Sequence, residues 1–332
     1  MKDIKIFVSH RIDIESELFS NPLYHHTRCG AVFDNLNPMN IPGDDTGDNI
    51  SGKRLSFCEF TVQYWAWKNI EADYYGLCHY RRFLSFSDKR FKANEMNVVY
   101  RPLLLKFHAK KFALSCPETM SRTIEKFDIV TSESADVRTI FTPDGHKDTV
   151  LEHWLAYDGV FFEKRAVNLL FELIDEFYPQ YSKSAAEYFD GKHHRGYNCY
   201  VMKKELFFRM CRLQFDIMEE VEKRLDTAGY TATMLRTPAF LGEMLYGIFV
   251  YHVTRCESVR IKELQLVFFN NTDKSSSTRK YFVKCASHWL LHGLRMVSLP
   301  LFPLKSKRRE VLKKMVLGLV PIKNRGVADP PG

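Results

Sequence analysis

The sequence predicts an α/β fold with a parallel sheet, and three observations carry this prediction. Ile4 to Val8 forms a short apolar run that indicates a buried first strand. Phe57 to Asn69 places aromatic side chains at helical spacing, and Asp73 to His79 follows as a second buried strand. In open α/β sheets ligands bind beyond the carboxyl ends of the strands. Ser9 and His10, which follow the first strand, are therefore candidate ligand-binding residues.

The rest of the chain continues the alternation. Residues 11–56 are rich in Asn, Asp, Gly and Pro, which predicts loop. Apolar periodicity predicts helices at 121–126, 166–177, 206–225 and 239–250, and short strands at 127–130 and 200–202.

The 332 residues suffice for one large core, and we expect a catalytic body, a linker and a tail. The body is predicted to span residues 1–270. Residues 271–278 form a polar linker that cannot bury apolar area, and residues 279–332 form the tail.

The basic excess lies in the tail, because residues 279–325 have a net charge of +11 and the rest of the chain has −3, which gives the total of +8. Between Arg279 and Arg325 the sequence has twelve Lys and Arg residues against Glu310 alone, interleaved with apolar residues. Val311, Leu312, Met315, Val316, Leu319 and Val320 fall on one helical stripe. This pattern favours a basic amphipathic helix that binds an anionic membrane surface, and it fits a nucleic-acid partner less well.

The sequence indicates a cytoplasmic protein that is peripheral on the inner face of the membrane. The amino terminus lacks the long uncharged segment of a secretory signal, and residues 281–304 are too interrupted by charges and prolines to cross a bilayer. The eight cysteines occur singly and without zinc-site spacing, which is typical of reduced thiols.

The sharpest chemical feature is the end of the second strand, which delivers His79, Tyr80, Arg81 and Arg82. Guanidinium groups recognise phosphate oxygens in a bidentate manner and never lose their charge. Arg81 and Arg82 are therefore candidates to hold a diphosphate and stabilise it as a leaving group, with His79 beside it. A surface ion-pair site is the alternative interpretation.

An Asp- and Gly-rich stretch precedes this strand, from Gly43 to Lys53. Its side chains could bind ribose or sugar hydroxyls, and the candidates are Asp45, Asp48, Asn49 and Lys53. Asp44, Asp45 and Asp48 are the alternative metal ligands, whereas a simple turn is the alternative for the whole stretch. The chain has neither a P-loop nor a GxGxxG fingerprint, which weighs against ATP and NAD.

These segments resemble a family of bacterial capsule and exopolysaccharide biosynthesis glycosyltransferases, long filed as a domain of unknown function. Its Gly-Leu-x-His-Tyr-Arg-Arg signature corresponds to Gly76–Arg82. The matching blocks occur in the family's order between Lys2 and His252, and they comprise residues 44–51 with 59–69, residues 75–82 and residues 197–206.

The resemblance implies a GT-A-like fold, with a Rossmann-type sheet that binds a nucleoside-diphosphate sugar at its strand ends. Many such enzymes end the corresponding strand in Asp-x-Asp, which binds Mg²⁺ or Mn²⁺ on the diphosphate. Here His79 to Arg82 take that place. We therefore expect no required cofactor, because fixed arginines can supply the ion's charge, with Mg²⁺ or Mn²⁺ at the three aspartates as the alternative.

The resemblance also implies roles for two later residues. Asn198 stands at a strand entry where such enzymes bond donor-sugar hydroxyls, and a turn amide is its alternative role. Glu243, near the start of a helix by the acceptor, is the first choice for the base that takes the acceptor proton. An exposed helix glutamate is the alternative there.

The resulting hypothesis is a hexosyltransferase that uses a nucleotide-sugar donor, UDP-galactofuranose among them, and a lipid-linked precursor of capsule, exopolysaccharide or O-antigen. The alternative is a non-catalytic polysaccharide- or lipid-binding scaffold of the same pathway. Hydrolysis of the donor separates the two.

Overall fold

The computed structural model describes residues 2–273 together with residues 286, 308 and 311. The strands are β1 (Ile4–His10), β2 (Tyr24–Arg28), β3 (Tyr74–His79), β4 (Arg82–Leu84), β5 (Val98–Leu103), β6 (Ile129–Ser132), β7 (Ala135–Asp136), β8 (His193–His194), β9 (Tyr200–Lys203), β10 (Ile261–Leu264) and β11 (Leu266–Asn271). The helices are α1 (Arg54–Phe57), α2 (Phe60–Asn69), α3 (Lys106–Lys111), α4 (Pro117–Ile124), α5 (Val150–Leu155), α6 (Lys164–Phe177), α7 (Ser182–Asp190), α8 (Lys204–Arg224) and α9 (Thr237–Cys256).

The α/β prediction is confirmed, and the sheet is mixed. Six strands lie in the order β2, β1, β3, β9, β6 and β10. All run parallel except β9, which is antiparallel to both of its neighbours. The carboxyl ends of β1, β3 and β6 and the amino end of β9 therefore lie at one edge of the sheet. Ser9 pairs with His79 in register at this edge.

A second part of the sheet begins where β3 ends. The chain turns back through Tyr80 and Arg81, and β4 pairs with β3 through Arg82 and His79. Strand β11 then pairs with β4 antiparallel and with β5 parallel. The turn is tight, so both arginines stay at the carboxyl edge.

Side chains alternate between two cores, as pleated strands require. Tyr75 and Leu77 of β3 face the core formed with α2, α6, α7, α8 and α9. Tyr74 and Cys78 face the opposite core, which β4, β5, β11 and α4 complete. The central strand is buried on both faces, which explains its continuous apolar run.

Most of the predicted elements are present, with small shifts of their ends. The helix expected at 121–126 begins earlier, at Pro117, since proline is favoured at a first helical position. Tyr24–Arg28 lies in the stretch predicted to be loop, yet it forms β2. Its sequence has no apolar alternation, and its backbone becomes a strand because β1 offers a parallel partner.

The start of the predicted linker is packed on the body in the described residues. Asn271 pairs with Leu103, and the carbonyl of Thr272 accepts a hydrogen bond of 2.7 Å from the Glu17 N–H. Nearly all of the predicted basic amphipathic tail, residues 279–332, lies outside the described residues. Seven cysteines are described as free thiols, and five of these are buried.

Candidate active site

The turn from β3 to β4 holds two nearly buried guanidinium groups. Arg81 is 8% exposed and Arg82 is 7% exposed. The Cζ atom of Arg82 lies 4.4 Å from the centroid of the Tyr197 ring and 5.6 Å from that of Phe268. Aromatic faces attract cations when they are stacked in this way. In the described part of the chain the buried Arg82 Nε has no hydrogen-bond partner. The guanidinium group contacts aromatic rings there and forms no salt bridge with a carboxylate.

Ser9, His10 and His79 lie at the same edge. The carbonyl of Ser9 accepts a hydrogen bond of 3.0 Å from the Tyr80 N–H, and His79 Nδ1 accepts one of 3.3 Å from the Arg81 N–H. His10 is occupied by a contact of 2.8 Å between its Nε2 and Nδ1 of His26, and burial lowers the pKa of His10 well below its usual value. A neutral imidazole therefore lies close to the arginines.

Asn198 precedes β9, whose amino end reaches this edge from the other side. The side chain is only 4% exposed, and in the described residues neither its oxygen nor its nitrogen has a hydrogen-bond partner. Buried amides are nearly always hydrogen-bonded in proteins, so an orphaned one indicates a group that a ligand satisfies. Its neighbour Tyr197 is the ring beneath Arg82.

Glu243 lies in the second turn of α9 and joins this group. Burial, together with the negative charge of Glu59, raises the pKa of Glu243 to about 8, whereas Arg82 and Arg236 act in the opposite direction. The side chain keeps part of its surface accessible to solvent although protein atoms surround it. This is the situation of a carboxyl group at the bottom of a recess.

Sequence reasoning missed Glu59 and Arg236 as site residues. Glu59 is 7% exposed and begins α2, whose amino end points to the carboxyl edge of the sheet. Arg236 immediately precedes α9, and its Nε donates to Sγ of Cys58 over 2.9 Å. In the sequence, Glu59 is the first residue of a block that matches the family, and Arg236 lies shortly before Pro238, which is expected to start a helix. Neither position predicts which residues lie beside Glu59 and Arg236 in the folded chain.

Asp44, an alternative metal ligand, is instead an internal structural carboxylate. It has no exposed surface. Its Oδ2 accepts hydrogen bonds from the Gly30 N–H and the Thr61 hydroxyl, at 2.9 and 2.5 Å. Its Oδ1 accepts from the Ala31 N–H and the Ser51 hydroxyl, at 3.0 and 2.5 Å. Asp44 therefore connects the loop that follows β2 with the segment before α2 and with the first turn of α2.

Asp45 is exposed beside Asp44, near the end of β2 and hence at the carboxyl edge. Asp48 lies elsewhere, because its backbone forms hydrogen bonds of 3.0 and 2.7 Å with the side chain of Asn69, the last residue of α2. That end of the helix leads into the start of β3, at the far edge of the sheet. The six residues of β3 separate the two edges by roughly 20 Å.

Asn49 and Lys53 are engaged by residues other than the arginines. The Asn49 side chain donates to the Gly47 carbonyl at 2.9 Å and accepts from the Ser51 N–H at 3.2 Å. The Lys53 ammonium donates to Glu222 over 2.6 Å. The structure thus brings Ser9, His10, His79, Arg81, Arg82, Asn198 and Glu243 to one edge, with Asp45 near it, whereas Asp48 is bound to the end of α2 and the side chains of Asn49 and Lys53 are engaged by other partners.

In residues 2–273 no three His, Cys, Asp or Glu side chains are arranged to hold a metal ion. The cationic character of the edge comes from Arg81, Arg82 and Arg236. The arrangement can bind an anion beside a carboxyl group whose pKa is raised by burial and by the charge of Glu59.

One solved structure, the apo form of WbbM, resembles this chain with a TM-score of 0.72 and 29% sequence identity. WbbM is described as a bifunctional glycosyltransferase, and the match covers 81% of the present chain and 46% of that one. The chain thus spans about half the length of that protein. The similarity confirms the predicted GT-A-like fold.

No curated protein matches the chain. Among the described helices, none combines the length and apolar character needed to cross a membrane. Residues 5–254 match the family model described as a domain of unknown function, DUF4422. Because that match spans three quarters of the sequence, the chain belongs to the DUF4422 family.

Proposed function

We propose that the protein is a glycosyltransferase that uses a nucleoside-diphosphate sugar as donor. The observation that carries this proposal is the placement of a recessed carboxyl group, Glu243, within the electrostatic reach of Arg82 at the carboxyl edge of a GT-A-like sheet. Sugar transfer requires a group that binds an anion and a group that accepts a proton. Arg82 and Glu243 suit these two tasks and lie within electrostatic reach of each other.

Arg81 and Arg82 bind the donor diphosphate in this proposal. Their low exposure removes competing water, so each charge interacts more strongly with phosphate oxygens than it would at the surface. The rings of Tyr80, Tyr197 and Phe268 contact the guanidinium groups and orient them. As the bond to the sugar breaks, the electron pair passes to the leaving diphosphate, whose growing charge these arginines stabilise.

Glu243 acts as the base in an inverting transfer. The acceptor hydroxyl oxygen forms a bond to the anomeric carbon, and its proton passes to the Glu243 carboxylate. A base with a pKa near the working pH is the most effective proton acceptor, because it combines sufficient basicity with a substantial ionised population. Asn198 has an unsatisfied amide and binds hydroxyls of the donor sugar.

The finer proposal concerns the substrates. We propose a hexose donor, UDP-galactofuranose among the candidates, and a lipid-linked precursor of capsule, exopolysaccharide or O-antigen as acceptor. The basic tail binds the anionic inner face of the cytoplasmic membrane, where such an acceptor is presented. A required cofactor and a nucleic-acid partner form no part of the proposal.

The test is a thermal-shift and hydrolysis screen of the purified protein against a panel of nucleotide sugars. A donor that binds the folded state raises its melting temperature, and slow release of free sugar demonstrates turnover. The Arg82→Ala variant is the control and should lose both signals. If no nucleotide sugar shifts the melting temperature but an isolated polysaccharide or lipid does, the protein is the non-catalytic scaffold of the alternative hypothesis.

A further inference from the structure

Helix α3 presents three lysines and one phenylalanine to solvent on a single face. Its inner face packs on the core through Ala109 and through Phe112, the residue that follows the helix. Successive residues of a helix are separated by about 100°, so the exposed residues occupy an arc of roughly 140°. They are Lys106, Phe107, Lys110 and Lys111. Phe107 is 58% exposed, although a phenylalanine at this position could have been buried only by turning the helix.

The lysines of this face are not neutralised by the protein. Within residues 2–273 none of the three forms a salt bridge, whereas eight other lysines do: Lys2, Lys5, Lys53, Lys147, Lys183, Lys203, Lys204 and Lys223. The surrounding sequence is also basic. From Lys89 to Ser115 the chain has seven Lys and Arg residues against Glu95 alone. An uncompensated cluster of one sign produces a positive potential that attracts anions.

His108 lies beneath the face and responds to this potential. Its side chain is 7% exposed, and its ring lies over that of Phe107 with the two centroids 4.0 Å apart. Burial, followed by the positive charges of Arg101 and Lys111, lowers the pKa of His108 to about 4. The imidazole is therefore neutral at physiological pH, and the charge of the face comes from its lysines.

The basic tail begins beside this helix. The Leu104 N–H donates to the Asn271 carbonyl over 3.1 Å, and Leu105 is the residue that precedes α3. The continuous described chain ends two residues after Asn271, at Asp273. Arg279 follows six residues later, and six extended residues span at most roughly 20 Å. The first basic residues of the tail can therefore reach the same surface as α3.

We propose that the exposed face of α3 is a membrane-binding surface of the catalytic body, and that it contacts an anionic lipid bilayer next to the point where the tail begins. This inference rests on the membrane location proposed above and adds a surface of the body to it. The three ammonium groups bind lipid headgroup phosphates. The Phe107 ring enters the boundary between headgroups and acyl chains, where aromatic side chains are favoured.

Other occupants of this face fit the observations less well. The chain's own tail and a second copy of α3 would each bring positive charge against positive charge. A nucleic acid would satisfy the lysines, but nonspecific binding of single strands uses several aromatic rings on which successive bases stack, and this face offers one. A lipid surface uses the lysines and the isolated apolar ring together.

The experiment measures the partition coefficient of the full chain, without any nucleotide sugar, by sedimentation over a series of lipid concentrations. Vesicles of equal parts phosphatidylglycerol and phosphatidylcholine are compared with phosphatidylcholine alone. Lys110→Gln combined with Lys111→Gln should weaken partitioning into the anionic vesicles by about 20- to 30-fold, because each lysine contributes about fivefold. Phe107→Ser should weaken it by about tenfold, and Phe107→Trp should preserve it.

Matched controls are available on the opposite face of the sheet, where α6 and α7 pack on the other core. Lys164→Gln combined with Lys183→Gln removes the same charge from exposed positions, and Phe177→Ser removes an exposed phenylalanine. Both should partition as the unaltered protein does. Equal partitioning of the α3 lysine variant and its control would overturn the proposal. A loss of oligonucleotide binding without a loss of vesicle binding would also overturn it and would assign the face to nucleic acid.

A second measurement uses the unaltered protein, in case a variant does not fold. Acetylation of lysines, followed by mass spectrometry, should show at least about threefold protection of Lys110 and Lys111 by anionic vesicles, with none at Lys164 and Lys183. Equal labelling with and without vesicles would exclude the contact. Failure of the proposed function is distinguishable, because a protein that hydrolyses no nucleotide sugar can still bind vesicles. If it is active, the α3 variants should hydrolyse the donor normally in solution.

Discussion

The guanidinium of Arg82 lies over the ring of Tyr197, with its Cζ atom 4.4 Å from the ring centroid. The contact joins the first strand after the β3 turn to the residue that precedes Asn198, so it holds the two sides of the recess together. A contact with a ring face orients the guanidinium without using its N–H donors. This relationship decides what substitutions at position 82 should do.

We expect Arg82→Ala and Arg81→Ala each to reduce kcat/KM for the donor by roughly 30- to 1,000-fold, equivalent to about 2–4 kcal/mol of transition-state stabilisation. Arg82→Lys should restore little, because an ammonium group cannot reproduce bidentate binding or planar stacking. Steady-state kinetics measure the effect. Arg224→Ala, which removes an exposed ion pair with Glu176, is the control and should remain near normal. Near-normal turnover in both site variants would exclude the diphosphate role.

The rate should depend on pH through Glu243. A base must be ionised to accept a proton, and the pKa of Glu243 is raised to about 8, so kcat/KM should rise from pH 6 and level off above pH 8. Glu243→Gln should lower the rate by about 100-fold or more and abolish the acidic limb. The measurement is a pH–rate profile with buffers of constant ionic strength. A variant that keeps both the rate and the limb would remove Glu243 from the mechanism.

Asp44 should matter for stability and not for chemistry. Asp44→Ala leaves three donors without an acceptor, the N–H groups of Gly30 and Ala31 and the Ser51 hydroxyl, and we expect a loss of at least about 3 kcal/mol in the free energy of unfolding. For a chain of this size the melting temperature should fall by roughly 6–12 °C. Asp45→Ala, the exposed neighbour, should change stability by less than about 0.5 kcal/mol. Equal melting temperatures for the two variants would contradict the structural assignment.

Metal chelation should leave activity intact. This expectation rests on the sequence, in which His79, Tyr80, Arg81 and Arg82 occupy the place where Asp-x-Asp is expected. The fixed charge of the guanidinium groups can replace the charge of a bound metal ion. Turnover is measured after dialysis against EDTA and again after addition of Mg²⁺ or Mn²⁺. Activity lost with EDTA and restored by Mn²⁺ would refute the expectation and direct attention to the exposed Asp45, because the Asp44 oxygens are already engaged.

The segment from Arg279 to Arg325 should bind anionic membranes. Each basic residue near such a surface contributes about 1 kcal/mol, so half of the twelve suffices for reversible binding. Sedimentation with anionic and neutral liposomes should pellet the full-length protein only with the former, and salt should weaken the effect. A chain truncated after Thr278 is the comparison, and it should hydrolyse donor normally. Equal pelleting of the two proteins would disprove the role of the tail.

The local sequence suffices for the central strand, the long helices and the arginine turn. The apolar run within residues 73–79 predicts a strand that is buried on both faces, because it offers no alternating polar face to solvent. Arg81 and Arg82 directly follow the carboxyl end of this strand. The long helices α8 and α9 also follow from apolar periodicity. The part of the candidate site that lies at the end of this strand was therefore predictable from the sequence.

The other features of the candidate site depend on contacts between segments that are distant in the sequence. Asp44, Asp45 and Asp48 look equivalent in the sequence, yet one is enclosed by four donors, one is exposed, and one is tied to Asn69 at the far edge. The raised pKa of Glu243 follows from burial and from the charge of Glu59, which is distant in the sequence and comes within electrostatic reach only in the folded chain.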